Sequence, residues 1–139
     1  MKKKLFYYLS KFIGLKRYFR LHFSFLTEKY NFKETSDSRL IIPSWNRFGV
    51  GYTNNNYVII ITDDIRERNI VVIIYKIQKN YRIPIYNSND YFTLGDYLLN
   101  QGFNRAVVQK HTCYRYNKLK DVLKNIANYL KDYGHEIWT

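Results

Sequence analysis

A chain of 139 residues holds one core and is too short for two. With 46% hydrophobic and 19% aromatic residues it is not an intrinsically disordered chain, and its one cysteine, Cys113, excludes an internal disulfide framework. A net charge of +12, from 23 Lys and Arg against 11 Asp and Glu, directs attention to anionic partners: nucleic acid, acidic lipid or an acidic protein.

The charge is uneven. Residues 1–30 carry eight basic side chains and one acidic one, whereas the rest of the chain carries 15 and ten. The opening "MKKKLFYYLSKFIGL" imitates a signal peptide, but Lys11 interrupts its apolar stretch and no small-x-small cleavage site follows. No run reaches the roughly 18–20 apolar residues of a membrane-spanning helix. A cytoplasmic protein is expected, forming one domain over 1–139, with residues 1–15 a loosely attached basic amphipathic segment. Abundant Lys, Ile, Asn and Tyr also fit an AT-rich genome, so part of the basicity reflects codon use.

Leu5, Tyr8, Phe12, Leu15, Phe19, Phe23, Leu26 and Tyr30 recur at three- and four-residue steps, the stripe of an amphipathic helix. Gly14 suggests a division into helices over 4–13 and 16–30. Asn31 suits a left-handed cap. "KETSDS" (33–38) reads as a loop. "RLIIPSW" (39–45) is a short strand ended by Pro43, and "RFGVGYT" (47–53) a second, glycine-weakened one. "YVIIIT" (57–62) and "IVVIIYKI" (70–77) are strands rich in β-branched residues, and "YRIPIY" (81–86) is a further candidate.

The period then changes. "SNDYFTLGDYLLNQG" (88–102) fits a short helix stopped by Gly102. "RAVVQKHTCYRY" (105–116) reads as a strand or as irregular. "NKLKDVLKNIANYLKDYG" (117–134) is an amphipathic helix with Asn117 as N-cap and Gly134 as its stop. The fold class is α+β: an antiparallel sheet of four or five strands with N- and C-terminal helices packed on one face.

The acids gather most closely in "ITDDIRERN" (61–69). If the flanking strands pair as a hairpin, alternation puts Asp63 on the face of Tyr57, Ile59 and Ile61, and Asp64 on the other. The two carboxylates then diverge, and Asp63, Asp64, Arg66, Glu67 and Arg68 decorate a solvated tip able to contact a protein partner. A magnesium nuclease would need an acid-x-Lys triplet; Glu67 is followed by Arg68 and Asn69, so the lysine is missing. His111 and Cys113 would share a strand face, but His22 and His135 stand apart, short of the three or four ligands a zinc site uses. There is no glycine-rich phosphate cradle, G-x-S-x-G elbow or H-E-x-x-H pair. No catalytic residue, cofactor or metal is therefore expected.

Basic side chains supply the alternative. Lys11, Lys16, Arg17 and Arg20 near the N-terminus and Lys118, Lys120 and Lys124 at the last helix could bind phosphates, with aromatics for base stacking. The aromatics keep helical spacing, which suits a core equally well. A third option lays the first helix on an anionic membrane.

"FSFLTEKYNF" (23–32), "RLIIP", the hairpin "VGYTNNNYVIIITDDIRERNIVVIIYK" (50–76), "YFTLGDYLL" and the closing "LKDVLKNIANYLKDYG" together resemble a broad set of small bacterial proteins. These share an F-x-F-L-x-x-x-x-G-F opening, and many look like cytoplasmic immunity proteins encoded beside secreted toxins. The resemblance spans residues 19–134, with Asn31 where the pattern has glycine, and it carries no residue role onto this chain. It implies a non-catalytic protein that neutralises a cognate toxin by stoichiometric binding. A +12 protein would be repelled by a basic toxin. The expected target is therefore acidic or near neutral, or is met by a local patch such as Asp63, Asp64 and Glu67.

Overall fold

The computed structural model describes residues 18–35, 50–54, 56–64, 66–77, 91–115 and 117–138. The expected helix over 4–13 and the strands at 39–45 and 81–86 lie outside the described residues, as does the 1–15 segment.

Five strands form one antiparallel sheet in sequence order: β1 (Lys33–Thr35), β2 (Val50–Thr53), β3 (Tyr57–Asp64), β4 (Asn69–Lys76) and β5 (Tyr91–Thr93). β3 and β4 are the longest and pair along their whole length, from Tyr57 opposite Lys76 to Asp64 opposite Asn69. Their β-branched runs suit a pleated sheet buried on both faces. One face places Tyr52, Ile59, Ile61, Ile70, Val72 and Ile74 against the helices. On the other, Val58, Ile60, Ile73 and Tyr75 form a second buried cluster.

Helix α1, helical over 18–30, buries Phe19, Phe23 and Leu26 at the expected spacing. Asn31 adopts φ +60° at its end, and Phe32 donates its N–H to the Leu26 carbonyl at 3.0 Å while its ring enters the core. The left-handed cap is thus present. Residues 33–35, expected as loop, are instead β1. They pair with β2, and this pairing with a neighbour overrides weak strand propensity.

Three further helices lie on the same sheet face. Thr93 caps α2 (Leu94–Asn100), its Oγ1 accepting the Asp96 N–H at 3.1 Å; Gly102 leaves that helix region at φ +96°. Residues 91–93, expected within this helix, pair with β4 as β5. Asn104 caps α3 (Arg105–Thr112), its Oδ1 accepting the Ala106 N–H at 2.8 Å. The expectation of strand or irregular chain over 105–116 fails here. The two-valine run mimics a strand, but an N-cap and the buried pair Val108 and Thr112, four residues apart, make one helix face.

α4 (Leu119–Trp138) carries the main apolar stripe, including Val122, Leu123, Ile126 and Leu130. Burying each such side chain contributes about 1.5–3 kcal/mol. Two expectations are corrected in this element. Asn117 does not act as N-cap; its Nδ2 donates to the Lys110 and Cys113 carbonyls and ties off α3 instead. Gly134 does not stop the helix. A Cβ there would collide with the Trp138 ring, which lies back along the helix and meets Tyr30 and Phe32 edge-on at 5.2 and 5.4 Å. Glycine costs about 1 kcal/mol in a helix interior, and the packed indole offsets it.

Candidate functional site

The β3–β4 hairpin brings Asp63, Asp64, Arg66, Glu67 and Arg68 together at one end of the sheet. Asp64, Arg66, Glu67 and Arg68 are exposed, and Arg68 turns the chain at φ +52°. As alternation requires, Asp63 and Asp64 leave opposite faces. Asp63 does not point into water, however. It lies half-buried on the helix side, where Tyr114 Oη donates to its Oδ2 at 3.1 Å. Asp64 Oδ1 faces the Glu67 N–H at a long 3.4 Å. Among the described residues no three His, Cys, Asp or Glu side chains gather as metal ligands.

The tip is anchored rather than free. The Tyr114 N–H donates to the Arg68 carbonyl at 2.8 Å, Arg115 Nη2 faces the Arg66 carbonyl at 3.4 Å, and Cys113 Sγ lies 3.7 Å from the Glu67 carbonyl. Asn69 and Cys113 form an antiparallel bridge. Three successive turn carbonyls are thus met by the three residues that follow α3. Arg115 also alters the electrostatics: with Arg66 and Arg68 it balances Asp63, Asp64 and Glu67, so the surface is mixed in sign.

Beside the tip runs a groove that sequence reading missed. A cavity of about 310 Å³ lies between β4, α2 and α3, and a second of about 230 Å³ lies between the tip and Arg115. Both are bordered by Asn69 and Gln109, which makes them neighbouring parts of one depression. Had 105–112 been read as a helix, Arg105 and Gln109 would have marked one polar face at a four-residue step.

His111 and Cys113 are not a pair. His111 Nδ1 shares a hydrogen bond with Tyr129 Oη, and Asn125 Nδ2 donates to the His111 carbonyl, while Cys113 is buried at the tip. Burial first, then neighbouring Tyr133, pushes the Tyr129 hydroxyl above its ordinary pKa, so it stays protonated.

The basic residues divide between two places. Lys11, Lys16 and Arg17 lie outside the described residues. Arg20 faces β1 and pairs with Glu34 at 3.2 Å, an exposed bridge worth about 0–1 kcal/mol. Lys118 precedes α4 and its carbonyl opens the helix. Lys120 stands 5.9 Å over the Tyr18 ring and Lys131 5.4 Å over Phe25. His22 sits close by; partial burial, then Lys124 and Lys131, hold its pKa below the usual imidazole value. Lys120, Lys124 and Lys131 therefore form a positive ridge along α1 and α4, without Arg20.

Among the described residues no helix is long and apolar enough to cross a membrane. No protein-family model matches the chain, and no curated protein or solved structure matches it either.

Proposed function

We propose that this is a non-catalytic, cytoplasmic binding module of immunity type, which neutralises a cognate bacterial toxin by covering it stoichiometrically. The observation that supports this most is the anchored hairpin tip beside a groove. Exposed charges of both signs stand on a turn whose carbonyls are fixed by residues 113–115. Such preorganisation lowers the entropic cost of association. The arginines of the tip and the overall +12 suit an acidic or near-neutral target. A standard interface of about 800 Å² per partner fits on a domain of this size.

The test is co-expression with the product of a neighbouring toxin-like gene, followed by titration calorimetry of the purified pair. Protection of the cell and a 1:1 complex are expected. Exchanging the tip charges by Arg66→Glu with Arg68→Glu is expected to weaken the complex about tenfold or more. Full affinity after that exchange would remove the tip from the interface.

The ridge of Lys120, Lys124 and Lys131 favours a second reading, phosphate-driven nucleic-acid binding. There the affinity would fall with salt at a log–log slope of about −0.9 per phosphate neutralised. Micromolar RNA or DNA binding at physiological salt, with that slope, would replace the immunity reading.

A further inference from the structure

β4 is paired unevenly along its outer side. β5 covers only Ile73–Tyr75, and the bridge to Cys113 stands at Asn69. Among the described residues no strand lies against Ile70, Val71 and Val72 on that side. The larger cavity, about 310 Å³, opens at this gap, far more room than the roughly 30 Å³ of one liquid water. Its depth is apolar, lined by the buried side chains of Leu98, Val108 and Ile126. Asp96 and Arg105 border it with opposite charges. Asn69 Oδ1, at the end nearest the hairpin tip, is buried with no hydrogen-bond partner among the described residues.

An unpaired strand edge presents N–H and C=O groups that a second extended chain satisfies, and adjoining pockets then select its alternate side chains. A small apolar ligand would fill the floor but leave the edge unanswered. We infer that the gap takes an extended segment of the partner protein, which adds as a short strand along Ile70–Val72 and sinks one apolar side chain among Leu98, Val108 and Ile126. The rim charges suit a segment with a basic and an acidic residue on the same face as the apolar one. This rests on the protein-binding reading above and extends its contact surface from the hairpin tip into the groove.

The experiment titrates the ¹⁵N-labelled full chain with the end-capped pentapeptide acetyl-Lys-Thr-Leu-Thr-Glu-amide, followed by amide shifts. Saturable changes are expected at Ile70–Val72, Gly95 and Arg105. Replacing the central leucine of the probe by lysine is expected to weaken binding about tenfold or more. Gly95→Leu should abolish binding without unfolding the protein, because a Cβ there meets only Thr93 Oγ1 at 3.8 Å. Two further probes are N-methylated at the leucine or at the threonine after it. Strand addition requires one of them to lose about tenfold and the other to bind as before, since alternate amides face opposite edges. Equal binding by both, binding of N-acetyl-leucine amide as tight as the pentapeptide's, or no shifts at millimolar peptide would each overturn the inference. In those cases toxin protection through the hairpin tip would stand or fall separately by its own charge exchange.

Discussion

Among the described residues the hairpin tip and the α1–α4 ridge are both charged, and they are built in opposite ways. At the tip, backbone carbonyls 66–68 are met by residues 113–115, acids balance bases, and the surface is concave beside the groove. Along the ridge, like charges crowd over aromatic rings, and side-chain packing fixes the helices beneath: Phe19, Phe23 and Leu26 in α1, and Trp138 against Tyr30 and Phe32 at the far end of α4. The contrast teaches that a chain's net charge need not locate its most preorganised surface. The tip, fixed by backbone hydrogen bonds, sets three acids against three bases, whereas the ridge gathers Lys120, Lys124 and Lys131 over packed side chains.

If packing holds the ridge side, the largest effect should come from its closest contact. Gly134→Val drives a side chain into the Trp138 ring and is expected to destabilise the protein by about 1–3 kcal/mol in urea unfolding. A loss under 0.5 kcal/mol would mean that the indole swings aside freely. If hydrogen bonding holds the tip, Tyr114→Phe, which deletes the donor to Asp63, should cost about 1–2 kcal/mol. Hydrogen exchange should show the loss concentrated near residues 63–69; a uniform loss over the whole sheet would contradict local anchoring.

Smaller effects refine the same division. Tyr52 Oη is buried with no hydrogen-bond partner among the described residues, and burial raises its pKa far above the ordinary value of 10. Tyr52→Phe should therefore be neutral or stabilising by up to about 1 kcal/mol, and a clear loss of stability would reveal a bound water or another unseen partner. On the ridge, the lowered pKa of His22 means that the unfolded chain binds its proton more readily. Stability is complete above pH ~6.5, the ordinary histidine value, and declines as pH falls below it. Lys124→Gln should raise the His22 titration midpoint, read by NMR, and shrink that acid-side loss. An unmoved midpoint would place Lys124 away from the imidazole.

Much of the framework was legible because it depends on local periodicity. The stripe Phe19, Phe23 and Leu26, the β-branched runs of β3 and β4, the Asn31 cap and the stripe of α4 are each local patterns that the sequence displays directly. The candidate site was only half legible. Alternation placed Asp63 and Asp64 on opposite faces, but not Tyr114, 51 residues on in sequence, as the donor that keeps Asp63 out of water. Lys33–Thr35 and Tyr91–Thr93 became strands through neighbours outside their own segments. Asn117 and Gly134 carry turn and stop chemistry by residue type, yet Asn117 caps a different helix and Gly134 makes room for Trp138.

Side-chain period, turn residues and composition thus determined an α+β chain with a central hairpin and an amphipathic closing helix. Pairing at the sheet margins, the course of 105–112, the anchoring of the tip and the groove beside it were decided only in three dimensions. The physical reason is the range of the forces involved. Helical and strand periods are written within a few residues, whereas a short edge strand, a reassigned cap or a cavity takes its free energy from partners dozens of residues away.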